Sequence, residues 1–242
     1  MANGLNSSNH ISSRFDEELQ NVLGNVLAMG GLAEEQLNEA IESLIAGDVS
    51  QASAVIDNEI QVNTMEVKID QECTNILARR QPAATDLRLL VAIIKTITDL
   101  ERIGDEAQKI AKRAIDLSEK HGGPKSYYIS IKAMGNLVAR MLHDALDALA
   151  RMDSKDALKV ANKEPESDDQ YSAIMRQLIT YMMEDARNIS GALDAIWVIR
   201  ALERIGDHSR NICEYVIYLV EGKDVRHISL EQVEKEVINN NK

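Results

Sequence analysis

The hexapeptide LERIGD stands at residues 100–105 and again at 202–207. In each copy a glutamate and an aspartate are four residues apart, Glu101 with Asp105 and Glu203 with Asp207, so on a helix each pair shares one face. Between them lie Gly104 and Gly206, although glycine inside a helix costs about 1 kcal/mol relative to alanine. Running back from Glu101 the same ridge reads Ile97, Ile94 and Leu90, and from Glu203 it reads Ile199, Ile196 and Ala192. Both glutamates thus extend an apolar ridge, where a carboxylate needs a cation or a set of donors.

Working outward, the repeat is far longer than six residues. Shifted by 105, MGGLAEEQLNEAIESLIAGDVSQASAV (29–55) falls on MGNLVARMLHDALDALARMDSKDALKV (134–160) without a gap. The hexapeptides are 102 apart, so one small gap near the second interhelical turn reconciles the halves. Apolar and small residues recur in steps of three and four from Phe15 to Leu44, the stripe of an amphipathic helix. Gly47 ends that helix and Asp48 caps the next, which Pro82 stops at RRQP. Asp86 is the expected cap of a third helix ending near HGGP, and Asn188 its counterpart in the second half. Further helices are expected over 126–152, 154–183 and 189–221, with Pro165 kinking or breaking the fifth and Gly222 ending the sixth. The expected fold is all-α: two tandem antiparallel three-helix bundles related by a pseudo-twofold. Their limits are 14–121 and 122–222, between a loose tail at 1–13 and a C-terminal tail at 223–242.

Composition narrows the function. A net charge of −12 with 3% aromatic residues excludes a nucleic-acid binder, which needs surplus cations and stacking platforms. The same charge disfavours an anionic membrane surface. Cys73 and Cys213 are the only cysteines and form no framework, as expected of a reducing compartment. The start MANGLNSSNH lacks the basic residues and apolar run of a signal peptide, and no run approaches a membrane span. The expected location is cytoplasmic.

Glu101, Asp105, Glu203 and Asp207 are the candidate metal ligands. Carboxylate oxygens suit hard or borderline ions, meaning Mg, Mn, Ca, Fe or Zn. The alternative is inherited packing, with each Glu paired to a basic residue and each Gly marking a helix crossing. No Glu-x-x-His pair of a di-iron bundle occurs, and no Ser-His-Asp, Cys-His or GxSxG arrangement. His208 is either an outer ligand or a surface histidine beside Arg204. Asn211, one turn past the acidic pair, is a second outer-shell candidate. HGGPKS (121–126) lacks the phosphate-loop pattern and reads as a turn. Tyr181, Met182, Met183, Tyr215 and Tyr218 read as core or helix-interface residues.

The stretches ILARRQPAATDLRLLVAIIKTITDLERIGDEAQKIAKR and ALERIGDHSRNICEYVIYLVEGKDVRH resemble the PhoU family of accessory regulators of bacterial phosphate uptake. The resemblance runs from about Ile11 to His227 and includes both halves. It implies paired three-helix bundles with a Glu/Asp-x-x-x-Asp motif in each, matched here by Glu101 with Asp105 and Glu203 with Asp207. It also implies iron, zinc, manganese, magnesium or another divalent ion at those motifs.

The function it implies is a non-enzymatic negative regulator of the phosphate-starvation response. Its partners would be the cytoplasmic ATPase of a phosphate importer and a sensor histidine kinase, with a homodimer as the expected assembly. Two alternatives compete: a metal-binding helical scaffold without signalling output, and a metal-dependent hydrolase, for which no general base can be named.

Overall fold

The computed structural model describes residues 13–119 and 125–226, together with Ile228 and Gln232. Residues 1–12 of the tail expected at 1–13, the HGGP turn at 121–124 and most of the stretch past Arg226 lie outside the described residues, while Ser13 already opens the first helix. Those described form seven α-helices and a short 3-10 turn, with no strand among them. They are α1 (Ser13–Ala46), α2 (Val49–Arg80), α3 (Ala84–Glu119), α4 (Lys125–Arg151), α5 (Ser154–Ala161), α6 (Glu164–Glu184) and α7 (Ile189–Glu221).

Six helices were expected, and the seventh comes from Pro165. Proline has no N–H, and its ring collides with the carbonyl four residues back. That carbonyl belongs to Ala161, the last residue of α5, and Pro165 itself sits in the opening turn of α6. Asp48 and Asp153, 105 apart, both cap as their spacing suggests, accepting from the amides of Gln51 and of Lys155 and Asp156.

Two expected caps differ. α3 starts at Ala84, so Asp86 lies inside its first turn, where a carboxylate favours the exposed amides electrostatically. The cause is upstream: Gln81 ends α2 in the left-handed region at φ 46, and Pro82 turns the chain directly into the new helix. Asn188 occupies the cap position of α7 without capping it, because its amide donates to the Tyr181 carbonyl at 3.2 Å.

Within the first half the helices run antiparallel: Arg80 grips Glu18 with two hydrogen bonds of 2.8 and 3.0 Å, and Gln108 of α3 reaches Glu59 of α2. In the second half α7 packs on α4, α5 and α6. The halves join along an α3–α7 seam and an α1–α4 crossing, so the two bundles share one apolar core.

At the α1–α4 crossing the repeat places glycines on both sides. A Cβ on Gly30 would come within 2.5 Å of Leu146 Cδ2, and one on Gly135 within 2.9 Å of Ile41 Cδ1. These two glycines let the helices approach. Among the loosely grouped Tyr and Met residues, Met183 departs from the core reading: it is 82% exposed. No helix among the described residues is long and apolar enough to cross a membrane.

Candidate functional site

Glu101 and Asp105 lie half-buried on the face of α3 that meets α2. Burial raises the Glu101 pKa above its ordinary value, and the charges of Asp105, Glu66 and Glu59 raise it further. Two of those three belong to α2, so the site is wider than the hexapeptide. Burial also raises Glu66, against a hydrogen bond from Thr98 that lowers it. Beside them the Asn63 amide donates to the Glu59 carboxylate, and its own Oδ1 is buried without a partner. Gln108 approaches Glu59 Oε2 from α3 at 3.4 Å.

The second half repeats the arrangement with other letters. Glu203 and Asp207 are both raised, by burial first and then by neighbouring carboxylates, Asp168 among them in each case. Glu164 is raised by burial, against an opposing pull from Arg210. The guanidinium of Arg210 donates to Glu164 at 3.1 Å and to Glu214 at 3.2 Å.

The residues missed from sequence are therefore Glu59, Asn63 and Glu66 on α2, with Glu164 and Asp168 on α6. The signal was present, because the 105-residue shift lays Glu59 on Glu164 and Asn63 on Asp168. Likewise the 102-residue shift lays Gln108 on Arg210. Relative to the first site, the second gains a negative charge at Asp168 and a positive one at Arg210. Glu66 adds a negative charge to the first site that Tyr171, its counterpart under the 105-residue shift, does not add to the second, so the two sites set their charge by different means.

The glycines between the carboxylates face neighbouring side chains. A Cβ on Gly104 would stand 3.2 Å from Gln36 Oε1 and 3.5 Å from Val62 Cγ1, and one on Gly206 would stand 3.2 Å from Ser167 Oγ. Gln36 Oε1 and Ser167 Oγ are both buried with no hydrogen-bond partner. Under the 105-residue shift Val62 answers to Ser167 and Gln36 to Met141, so each half supplies one polar atom from the opposite helix of its bundle.

His208 is not a surface residue. It is 7% exposed, and its Nδ1 lies 2.7 Å from Asp99 Oδ1 on the far side of the α3–α7 seam. Asn211 donates to the same oxygen at 3.2 Å. Both outer-shell candidates are thus turned toward Asp99, although the His208 charge still acts to lower the Asp207 pKa. Their burial follows from the seam itself, which one helix read alone does not reveal.

In kind, the donors suit a hard cation: they are half-buried, repel one another, and include an unpartnered amide oxygen at Asn63. In position they are not closed around one point. Among the described residues, no group of three or more His, Cys, Asp or Glu side chains converges on a single ion.

Comparison with known proteins decides the kinship. The model of the PhoU domain matches twice, over residues 26–114 and 131–216, once in each half. The chain belongs to the PhoU family. A Pseudomonas aeruginosa relative, a phosphate-specific transport system accessory protein PhoU homolog, is 51% identical over 99% of both chains. The crystal structure of PhoU from Pseudomonas aeruginosa superposes with a TM-score of 0.84 at 52% identity, covering 86% of this chain and all of that one. A second crystal structure, the phosphate transport system regulatory protein PhoU from Streptococcus pneumoniae, reaches 0.80 at 31% identity, covering 87% of this chain and 99% of that one. The family is built as a tandem duplicated helical bundle, and this chain is built the same way.

Proposed function

We propose that this PhoU-family chain is a non-enzymatic accessory protein of a phosphate transport system that holds the phosphate-starvation response off when phosphate is plentiful. The observation that carries the reading is likeness over nearly the whole chain, both halves included, to a phosphate-specific transport system accessory protein. In this reading the protein works by contact at the cytoplasmic face of the membrane, as a homodimer. It touches the ATPase of the importer and a sensor histidine kinase, and has no chemistry of its own. The acidic sites around Glu101 with Asp105 and Glu203 with Asp207 hold divalent cations that neutralise their crowded carboxylates and stiffen the bundles. Iron, zinc, manganese and magnesium all suit such oxygen donors.

The test is a deletion strain grown in phosphate-rich medium, with a starvation-inducible alkaline phosphatase as reporter. Deletion should switch the reporter on, and removing the kinase as well should switch it off again. Normal repression in the single deletion would overturn the reading. Elemental analysis of protein purified without chelator or affinity nickel tests the cation part separately.

A further inference from the structure

Between α3 and α7 a cavity of about 610 Å³ opens beside Trp197, and five cations line it: Lys109, Lys112, Arg113, Arg200 and Arg204. Only two carboxylates, Glu106 and Asp116, line it with them. In a chain of net charge −12 such a concentration of positive charge is out of character.

The internal pairings leave cations over. Glu106 is 3% exposed and takes two of them, Arg204 at 2.9 Å and Lys109 at 3.0 Å. Arg113 is shared by Asp116 and Asp194. Among the described residues, Lys112 donates only to the neutral amide of Gln108. Arg200 makes no hydrogen bond or ion pair among the described residues. Trp197, on α7 with Arg200 and Arg204 and facing the α3 cations, is 55% exposed, leaving indole surface available at the cavity mouth.

The duplication supplies its own control. By the 102-residue shift, Trp197 answers to Lys95, and Arg113 and Asp116 answer to Tyr215 and Tyr218. In that other copy Lys95 lies over both tyrosine rings, 5.5 and 5.8 Å from their centroids. There the ring and the cation come from the chain itself and satisfy each other. At Trp197 the aromatic face and the spare cations remain open.

We infer that this cavity binds a nucleoside di- or triphosphate, with the base stacked on Trp197 and the phosphates held by Lys112 and Arg200. The volume falls in the range of small-molecule sites, roughly 300–1,000 Å³. Guanidinium and ammonium groups make charge-assisted hydrogen bonds to phosphate oxygens, and an indole face stacks any base. A bare phosphate would leave the indole unused, and an uncharged nucleoside would leave the cations unused. The cavity adjoins the acidic motifs, Arg204 being part of the second hexapeptide and Arg200 acting with it on Glu203. Its lining nevertheless includes none of the four paired carboxylates except Asp207's neighbours in sequence, and the proposed binding needs no metal.

Trp197 is the only tryptophan in the chain, so it reports on its own occupancy. Titrating the full chain with ATP in the presence of EDTA, with fluorescence excited at the red edge and calorimetry in parallel, should give saturable quenching and matching heat. Adenosine and tripolyphosphate should each bind about tenfold or more weaker than ATP. The exposed pair Lys112→Ala and Arg200→Ala should weaken ATP by at least about tenfold, while Lys155→Ala on α5 should leave it unchanged. Absence of saturable binding at millimolar ATP would overturn the site, and so would ATP affinity unaltered in the Lys112/Arg200 variant. Tripolyphosphate binding as tightly as ATP would overturn the nucleoside assignment.

Discussion

Asp99 of α3 and His208 of α7, 109 residues apart, hold each other at 2.7 Å across the seam that joins the two halves. Both are almost wholly buried. Asn211 adds a second hydrogen bond to the same carboxylate oxygen, and the Asp99 charge, after burial, helps push the Tyr215 hydroxyl pKa up. By the 102-residue shift, His208 answers to Glu106, which is also buried and also paired across the seam, with Arg204. The repeat preserves a buried seam position there, and in both pairs α3 supplies the carboxylate and α7 the basic side chain.

Removing one partner should therefore cost more than a surface substitution. His208→Ala leaves a buried carboxylate with reduced support and should lower stability by about 2–4 kcal/mol. Asp99→Ala should cost a similar amount, and the double variant less than the sum of the two. Urea unfolding of all three, read as a cycle, checks this; strict additivity would show that the contact carries no coupling.

Much of this architecture was legible in the chain. The 3.6-residue stripe of Phe15 to Leu44 and the shift of Met29 onto Met134 are local or self-referential signals, and they survive folding unchanged. Glu101 and Glu203 could be placed at an apolar edge from their ridges alone. What stayed hidden depends on the neighbour a helix meets. The burial of His208 is decided by α3, 109 residues away. The part played by Asn63 and Asp168 is decided by α2 and α6 docking on α3 and α7. Asp86 misled because a capping residue is equally at home in the first turn, and the left-handed Gln81 had already set the start of α3.

Glu101, Glu164, Glu203 and Asp207 all have pKa values raised in the folded chain, with burial the first cause. A raised carboxylic pKa means that the native state holds its proton more tightly than the unfolded chain. Stability from these groups is thus fullest below the ordinary carboxylate range and falls as pH climbs through the window up to the raised values. At neutral pH their charges oppose folding of the metal-free protein. Asp207→Asn should consequently raise the melting temperature of chelator-treated protein at pH 7 by about 1–2 °C, the scale of one relieved like-charge pair in a chain of this size. Below the window, where the carboxyl is already neutral, the gain should vanish. Melting curves of both proteins across acid and neutral pH decide the sign.

Cys73 and Cys213 are completely buried, and burial pushes the Cys73 thiol up to about 12 and the Cys213 thiol higher still. Thiolate, not thiol, is the reactive form. Native protein should give no reaction with a thiol-exchange reagent at pH 8, and both cysteines of the chain should react once guanidinium unfolds it. Rapid labelling of either in the native state would show that its helix opens locally.

The two acidic sites should answer differently to a divalent cation, because they neutralise their charge differently. In the second half Arg210 donates to Glu164 at 3.1 Å and already offsets part of the field that Asp168 intensifies. In the first half the equivalent place holds Gln108, whose amide reaches Glu59 at 3.4 Å and brings no charge. Manganese at 100 times its dissociation constant stabilises a single site by about 2.7 kcal/mol, so occupancy reads directly as a melting-temperature rise at pH 7. Gln108→Arg should supply the first site with an internal cation, raising the metal-free melting temperature while shrinking the manganese response. Arg210→Gln should do the reverse in the second half, lowering metal-free stability and enlarging the response. Glu101→Gln with Asp105→Asn should abolish the response of the first half and leave that of the second. Calorimetric titration of manganese into the four proteins separates the two sites, and identical stoichiometry and affinity in all of them would remove the metal from both motifs.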